Sequence, residues 1–297
     1  MNHIHRRIQR SRGFTLVEAI LVIVIIGIIA GIVAVFIRAP VLGYTESAER
    51  ATVSDEADLA LRRIARYLRL ALPNSVRLTT TAGGDSAIEF LLTSTGGRYL
   101  TVDEDVPGFA PLDFDNPANP AFTAIGENTG RIQAGNYIVV YNLGDAVMPS
   151  DAYRFPLGAD MNIAQVRSVV AGTDNTATIT LADNAFARQT VTMTSPNRRF
   201  QVVTTPVSYV CRRLNDGNLG LVRYWGYNIA ATQAVPPLGS SRQAVIASRL
   251  DSCAGLFQYG SAATRASALV ILNLALRPRG GQGLVRLVHQ VHVDNTP

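Results

Sequence analysis

The chain has 297 residues, 47% of them hydrophobic and only 16% charged, with a net charge of +5. Four arginines, Arg6, Arg7, Arg10 and Arg12, lie in the first 13 residues; without them 23 basic residues stand against 22 acidic ones. The length is ample for a sizeable core, and the near-neutral remainder gives no case for a nucleic-acid-binding body.

Residues 14–37 form an almost unbroken apolar run, Phe14 to Ile37, interrupted by Thr15 and Glu18. As a helix it would rise about 36 Å, enough to cross a hydrocarbon core of about 30 Å with some tilt. The arginines in front of it place the N-terminus in the cytoplasm by the positive-inside rule, and the rest of the chain across the membrane. A secretory signal peptide fits poorly. The apolar stretch is too long, and the small residue at its end, Ala39, is followed by Pro40.

The segment Gly13-Phe14-Thr15-Leu16-Val17-Glu18 resembles the type IV prepilin signature. That resemblance to the type IV pilin-like family implies cleavage by a prepilin peptidase between Gly13 and Phe14, N-methylation of Phe14, and a mature chain of 284 residues. It also assigns Glu18 a role in assembly, pairing its charge with a free terminal amine of its own or a neighbouring subunit. An ionised carboxylate inside a membrane helix is costly without a partner. An acid one helical turn from the new terminus supplies the needed spacing. Gly27 and Gly31 form a small-xxx-small pair that would let helices approach closely. Pro40 is expected to end or kink the helix near the outer membrane boundary.

Past Pro40 the pattern Val53, Ala57, Ala60, Leu61, Ile64, Leu68, Ala71 and Leu72 falls on one helical stripe, while Arg62, Arg63, Arg66 and Arg69 lie away from it. Residues 38–72 therefore read as an amphipathic stem helix stopped by Pro73-Asn74. Residues 73–297 then read as a β-rich periplasmic domain. Strands are expected around Ile88 to Leu92, Tyr137 to Tyr141, Thr176 to Leu181, Arg199 to Cys211 and Leu219 to Tyr227. A hairpin is expected from Leu269 to Leu276 and Leu284 to Val293. The fold class that results is α+β: a long N-terminal helix, half transmembrane and half amphipathic, carrying an antiparallel sheet domain. Residues 103–130, rich in Pro, Asn and Asp, read as a long surface loop; their spacing fits no EF-hand, which favours a solvated loop over a calcium site.

Catalytic chemistry is not legible. His3 and His5 fall in the leader, and His289 and His292 would point to opposite faces of a strand, so neither a metal nor another cofactor is expected. There is no nucleophile elbow, phosphate loop or Cys-x-x-Cys pair, and the chain is expected not to be an enzyme. Cys211 and Cys253 form an even pair in an exported domain, which points to one disulfide; two buried free thiols are the alternative.

The size suggests a minor pilin or a pseudopilin. The ending His289 to Pro297 resembles that of the O-type minor pilin of the mannose-sensitive haemagglutinin pilus system. What that resemblance implies is an inner-membrane protein that enters a pilus, with other minor and major pilins and the membrane assembly platform as partners. A J-like pseudopilin of type II secretion is the alternative within the family. A signal-anchored periplasmic binding protein or an anchored enzyme is the alternative outside it.

Overall fold

The computed structural model describes residues 13–144, 147–156, 160–261, 267–279 and 283–297. They fall into two units, Met1–Ala51 and Thr52–Pro297. The leader histidines and arginines, residues 1–12, lie outside the described residues.

Among the described residues one α-helix, α1 (Leu16–Leu68), is followed by twelve strands, so the architecture is α+β with an antiparallel sheet. α1 continues through Pro40, where a stop or kink is expected from the sequence. Proline removes one backbone donor and crowds the preceding turn, but the flanking run from Leu16 to Leu68 carries enough helical pairing to continue past it. The helix ends at Leu68, a few residues before Leu72; Arg69 and Leu70 turn, and Ala71 bridges to Leu92.

In the first unit no described side chain of the helix is buried; in the second, Val53, Ala57, Ala60, Leu61, Ile64, Ala65 and Leu68 are all buried. These residues join a core with Ile88, Phe90, Val207, Tyr209, Leu221, Val270 and Leu274 from the sheet. The period of 3.6 on the helix meets the period of two on the strands there, and each presents its apolar stripe to the other.

The sheet is organised around two long strands, β2 (Ser86–Arg98) and β7 (Arg199–Arg213), which pair directly from Ser86↔Cys211 to Arg98↔Arg199. To one side β7 leads to β8 (Leu219–Trp225), β9 (Arg242–Leu250), β11 (Ser267–Leu276) and its neighbours β10 (Phe257–Ser261) and β12 (Val285–Asp294). To the other, β3 (Ala121–Ile125), β6 (Thr176–Leu181), β5 (Ile163–Ala171) and β4 (Tyr137–Val139) bridge from the end of β2 back to β7. The pairings β2–β3–β6–β5–β4–β7–β2 thus close a ring. A second core fills it, with Phe122, Phe200, Ile138, Val202, Tyr99, Phe114 and Phe186. Closing the ring requires tight approach at one point: a Cβ on Gly97 would lie 2.7 Å from the Phe200 ring. Only the absence of a side chain there leaves room.

Two sequence expectations change. The segment 103–130 is not one surface loop: it contains β3 and buries Leu112, Phe114 and Phe122. Its high content of Pro, Asn and Asp masks a short buried strand whose partners, β6 and β2, are distant in sequence. The strands β1 (Arg77–Thr80), β5, β9 and β10 are also additions, short or polar enough to escape periodicity arguments.

Candidate membrane and assembly segment

Gly13 and Phe14 are exposed ahead of α1, and Phe14 is 69% accessible. Thr15 stands immediately before the first helical residue, and its hydroxyl accepts a hydrogen bond from the Glu18 N–H at 3.3 Å. Helix starts leave four N–H groups without intrahelical partners, and a threonine in this position satisfies one of them. Glu18 is the acid in the first turn, where the positive end of the helix dipole favours a carboxylate. Thr15-x-x-Glu18 is half of a capping box. The prepilin resemblance implies a charge-pairing role for Glu18; the Thr-x-x-Glu spacing is the sequence signal for this second one.

Beyond the cap the surface is apolar on all sides. Leu16, Val17, Ile23, Ile26, Val35 and Phe36 are each at least 60% exposed. A helix hydrophobic all round is stable only where another apolar phase surrounds it. By length and composition α1 qualifies as a membrane-crossing helix near the N-terminus, and none of its most apolar window is buried. A Cβ built at Gly27 or Gly31 meets nothing within 4 Å, so in the single chain both positions are open to a neighbouring helix.

In the body, Cys211 on β7 and Cys253 after β9 are joined in a disulfide spanning 42 residues of sequence, and both are buried in the core under the stem helix. Closing a loop of that length stabilises the fold by about 4 kcal/mol in the chain-entropy model.

Glu89, buried on β2, is the most enclosed carboxylate among the described residues. Arg77 Nε donates to it at 3.0 Å, and Ser208 Oγ and Tyr227 Oη donate at 3.0 and 3.1 Å. Arg77 also donates to the carbonyls of Ala230 and Ala231, so the pair fastens the loop after β8 to the first strands. Burial and the neighbouring Glu89 push the Tyr227 phenol far above its ordinary range, which keeps it a donor at every physiological pH. The carboxylate is thus partnered from three sides within the body, and the network clamps the first strands to the loop after β8.

Histidines 289 and 292 alternate along β12, the first half-buried and the second exposed. Among the described residues no three His, Cys, Asp or Glu side chains converge as metal ligands. At Asp113, slight desolvation raises the carboxyl pKa. Hydrogen bonds from the Asn119 side chain and the N–H groups of Asp115 and Asn116 outweigh it, and the net position is below the ordinary value.

Comparison with known proteins adds one finding. Residues 8–34 match the prokaryotic N-terminal methylation motif. Neither the curated proteins nor the solved structures give a significant match to the chain. The matched segment covers the end of the leader with Arg10 and Arg12, the Gly13–Phe14 junction, the cap and the first five turns of apolar helix. It supports a type IV pilin-like protein: a membrane-anchored chain whose motif implies processing by a prepilin peptidase and assembly with other pilins.

Proposed function

We propose that the chain is a minor pilin of the kind found in the mannose-sensitive haemagglutinin pilus system. It waits in the bacterial inner membrane with its N-terminus in the cytoplasm and its body in the periplasm. A prepilin peptidase cuts between Gly13 and Phe14, Phe14 is methylated, and the helix from Phe14 to Ile37 enters the filament or its priming complex. Glu18 pairs with a terminal amine during that transfer, and Gly27 and Gly31 admit a neighbouring helix. The protein turns over no substrate.

The observation that carries this reading is an apolar helix exposed on every side that begins two residues after a Gly-Phe junction with an acid in its first turn. A plain signal anchor needs the apolar length but has no use for the acid. Cleavage leaves a cationic amine at the positive end of the helix dipole, an unfavourable placement that the Glu18 carboxylate offsets.

The experiment is gene deletion in the native host. Loss of surface pili with secretion intact is expected. Loss of enzyme secretion with pili intact would instead make the chain a J-like pseudopilin, and no effect on either would refute an assembly role.

A further inference from the structure

Tyr209 of β7 and Arg223 of β8 stand opposite each other in the strand register, beneath the stem helix. The Arg223 guanidinium lies 4.0 Å from the centroid of the Tyr67 ring on α1 and 4.5 Å from that of Trp225 on its own strand. Two aromatic faces hold the cation in place by quadrupole attraction but neutralise none of its charge. Arg66 approaches the same Tyr67 ring at 5.7 Å, and Arg63 lies one helical turn before Tyr67. Among the described residues Arg63, Arg66 and Arg223 form no ion pair with a carboxylate.

Two donors at this corner are left over. The Tyr209 side chain is fully buried, and its hydroxyl has no hydrogen-bond partner among the described residues; the Arg223 Nε has none either. Burial pushes the Tyr209 phenol well up, while Arg223, Arg63 and Arg66 pull it down, so all three cations act on this hydroxyl. A group of like charges without a counter-ion is unfavourable, and an anion at the surface, where Arg63 and Arg66 are exposed, relieves it.

We infer that Arg63, Arg66 and Arg223 form a carboxylate-binding site that receives Asp55 from a second copy of the chain. The inference rests on the pilin-like reading, in which chains lie side by side with their helices parallel. Asp55 is exposed on the same stem and forms no ion pair among the described residues, whereas Asp58 is held by Arg62 at 2.7 Å. It cannot serve its own site: Arg63 and Arg66 follow it by eight and eleven residues, about 12 and 16 Å along a rigid helix. Eleven residues are close to three whole turns, so Asp55 and Arg66 share a helix face. A parallel neighbour displaced by about 12–16 Å brings its Asp55 to this corner. Charge complementarity between the early and late halves of one stem thus sets the direction and step of stacking.

The test uses two differently tagged full chains co-expressed in the native host, one carrying Asp55→Cys and the other Arg66→Cys. Both natural cysteines are tied in the disulfide, so oxidation of the membranes reports only the new pair. The expected result is a mixed dimer at least about tenfold above that from Asp55→Cys with Thr232→Cys, an exposed position on the loop after β8. Without the added cysteines, Asp55→Arg is expected to lower self-association about tenfold, and Arg66→Asp in the partner to restore it. Sedimentation of the wild-type chain is measured alongside. No mixed dimer, with or without other multimers, would overturn the site and leave the pilin-like reading standing; an uncut chain beginning at Met1 in the same membranes would overturn that reading.

Discussion

Residues 16–51 and residues 52–68 share one α-helix and differ in almost everything their side chains do. The first stretch buries nothing, although it is the most apolar part of the chain. The second buries seven side chains from Val53 to Leu68, although it carries Asp55, Glu56, Asp58, Arg62, Arg63 and Arg66. Backbone hydrogen bonding is the same in both, so it cannot be what assigns their roles. Pattern does: a stripe of apolar residues at helical spacing finds a sheet to cover, whereas a cylinder of them has no polar face to leave in water. The first part must be completed by lipid or by other helices. The second is completed by its own chain.

That contrast can be broken most severely at Ile64, which is 1% exposed in the stem core. Ile64→Asp places an unpaired charge there and is expected to cost upwards of about 4 kcal/mol, unfolding the body while leaving membrane insertion of residues 14–37 unchanged. Protease resistance of the body against carbonate-resistant membrane association checks both halves. A charge at Ile26, on the exposed side of the comparison, is expected to do the reverse. Next in size, replacing Cys211 and Cys253 together by serine should lower body stability by about 4 kcal/mol, read as a fall in the urea midpoint. An unchanged midpoint would show that packing under the stem holds β7 and the Cys253 turn together unaided.

Glu89→Gln sharpens the account of the body by breaking a buried pair. A loss of about 3 kcal/mol is expected because Arg77 is left without its carboxylate. Release of the loop carrying Ala230 and Ala231 should accompany it, visible as faster amide exchange there. Thr15→Ala should cost only about 1 kcal/mol, all of it at the first turn of α1. Amide exchange in micelles would show fraying at Leu16 to Glu18 and none at the stem. The smallest effect concerns pH. Asp113 has a depressed carboxyl pKa, so its contribution to loop order is present above the ordinary Asp value and lost as pH falls through the folded one. NMR shifts of the Asp115 and Asn116 amides should move only on strong acidification.

The parts legible in the sequence were those written locally. A continuous apolar run, a Gly-Phe junction and a stem stripe each declare themselves within a few turns. Strand β6 does too, because its alternation is undisturbed by Pro or Gly, and β7 does by its run of β-branched and aromatic residues despite Pro206. The ring closed by β3, β6, β5 and β4 was not legible, since it depends on β2 meeting both β3 and β7, pairings more than 100 residues apart in the second case. β3 was hidden by the Asp- and Pro-rich segment around it. The candidate segment shows the same division. Gly13, Phe14 and Glu18 stand out by type and spacing, while the clasp of Arg223 between Tyr67 and Trp225 joins α1 to β8 across more than 150 residues, and no local pattern marks it.

The most direct test of the central claim, that α1 is a processed prepilin helix, is the intact mass and N-terminal residue of the protein recovered from membranes with and without the prepilin peptidase. The account predicts a chain of 284 residues beginning at methylated Phe14 when the peptidase is present, and the uncut chain when it is absent. A chain beginning at Met1 in both cases would contradict it, reducing residues 14–37 to a plain anchor and leaving Glu18 with its helix cap alone.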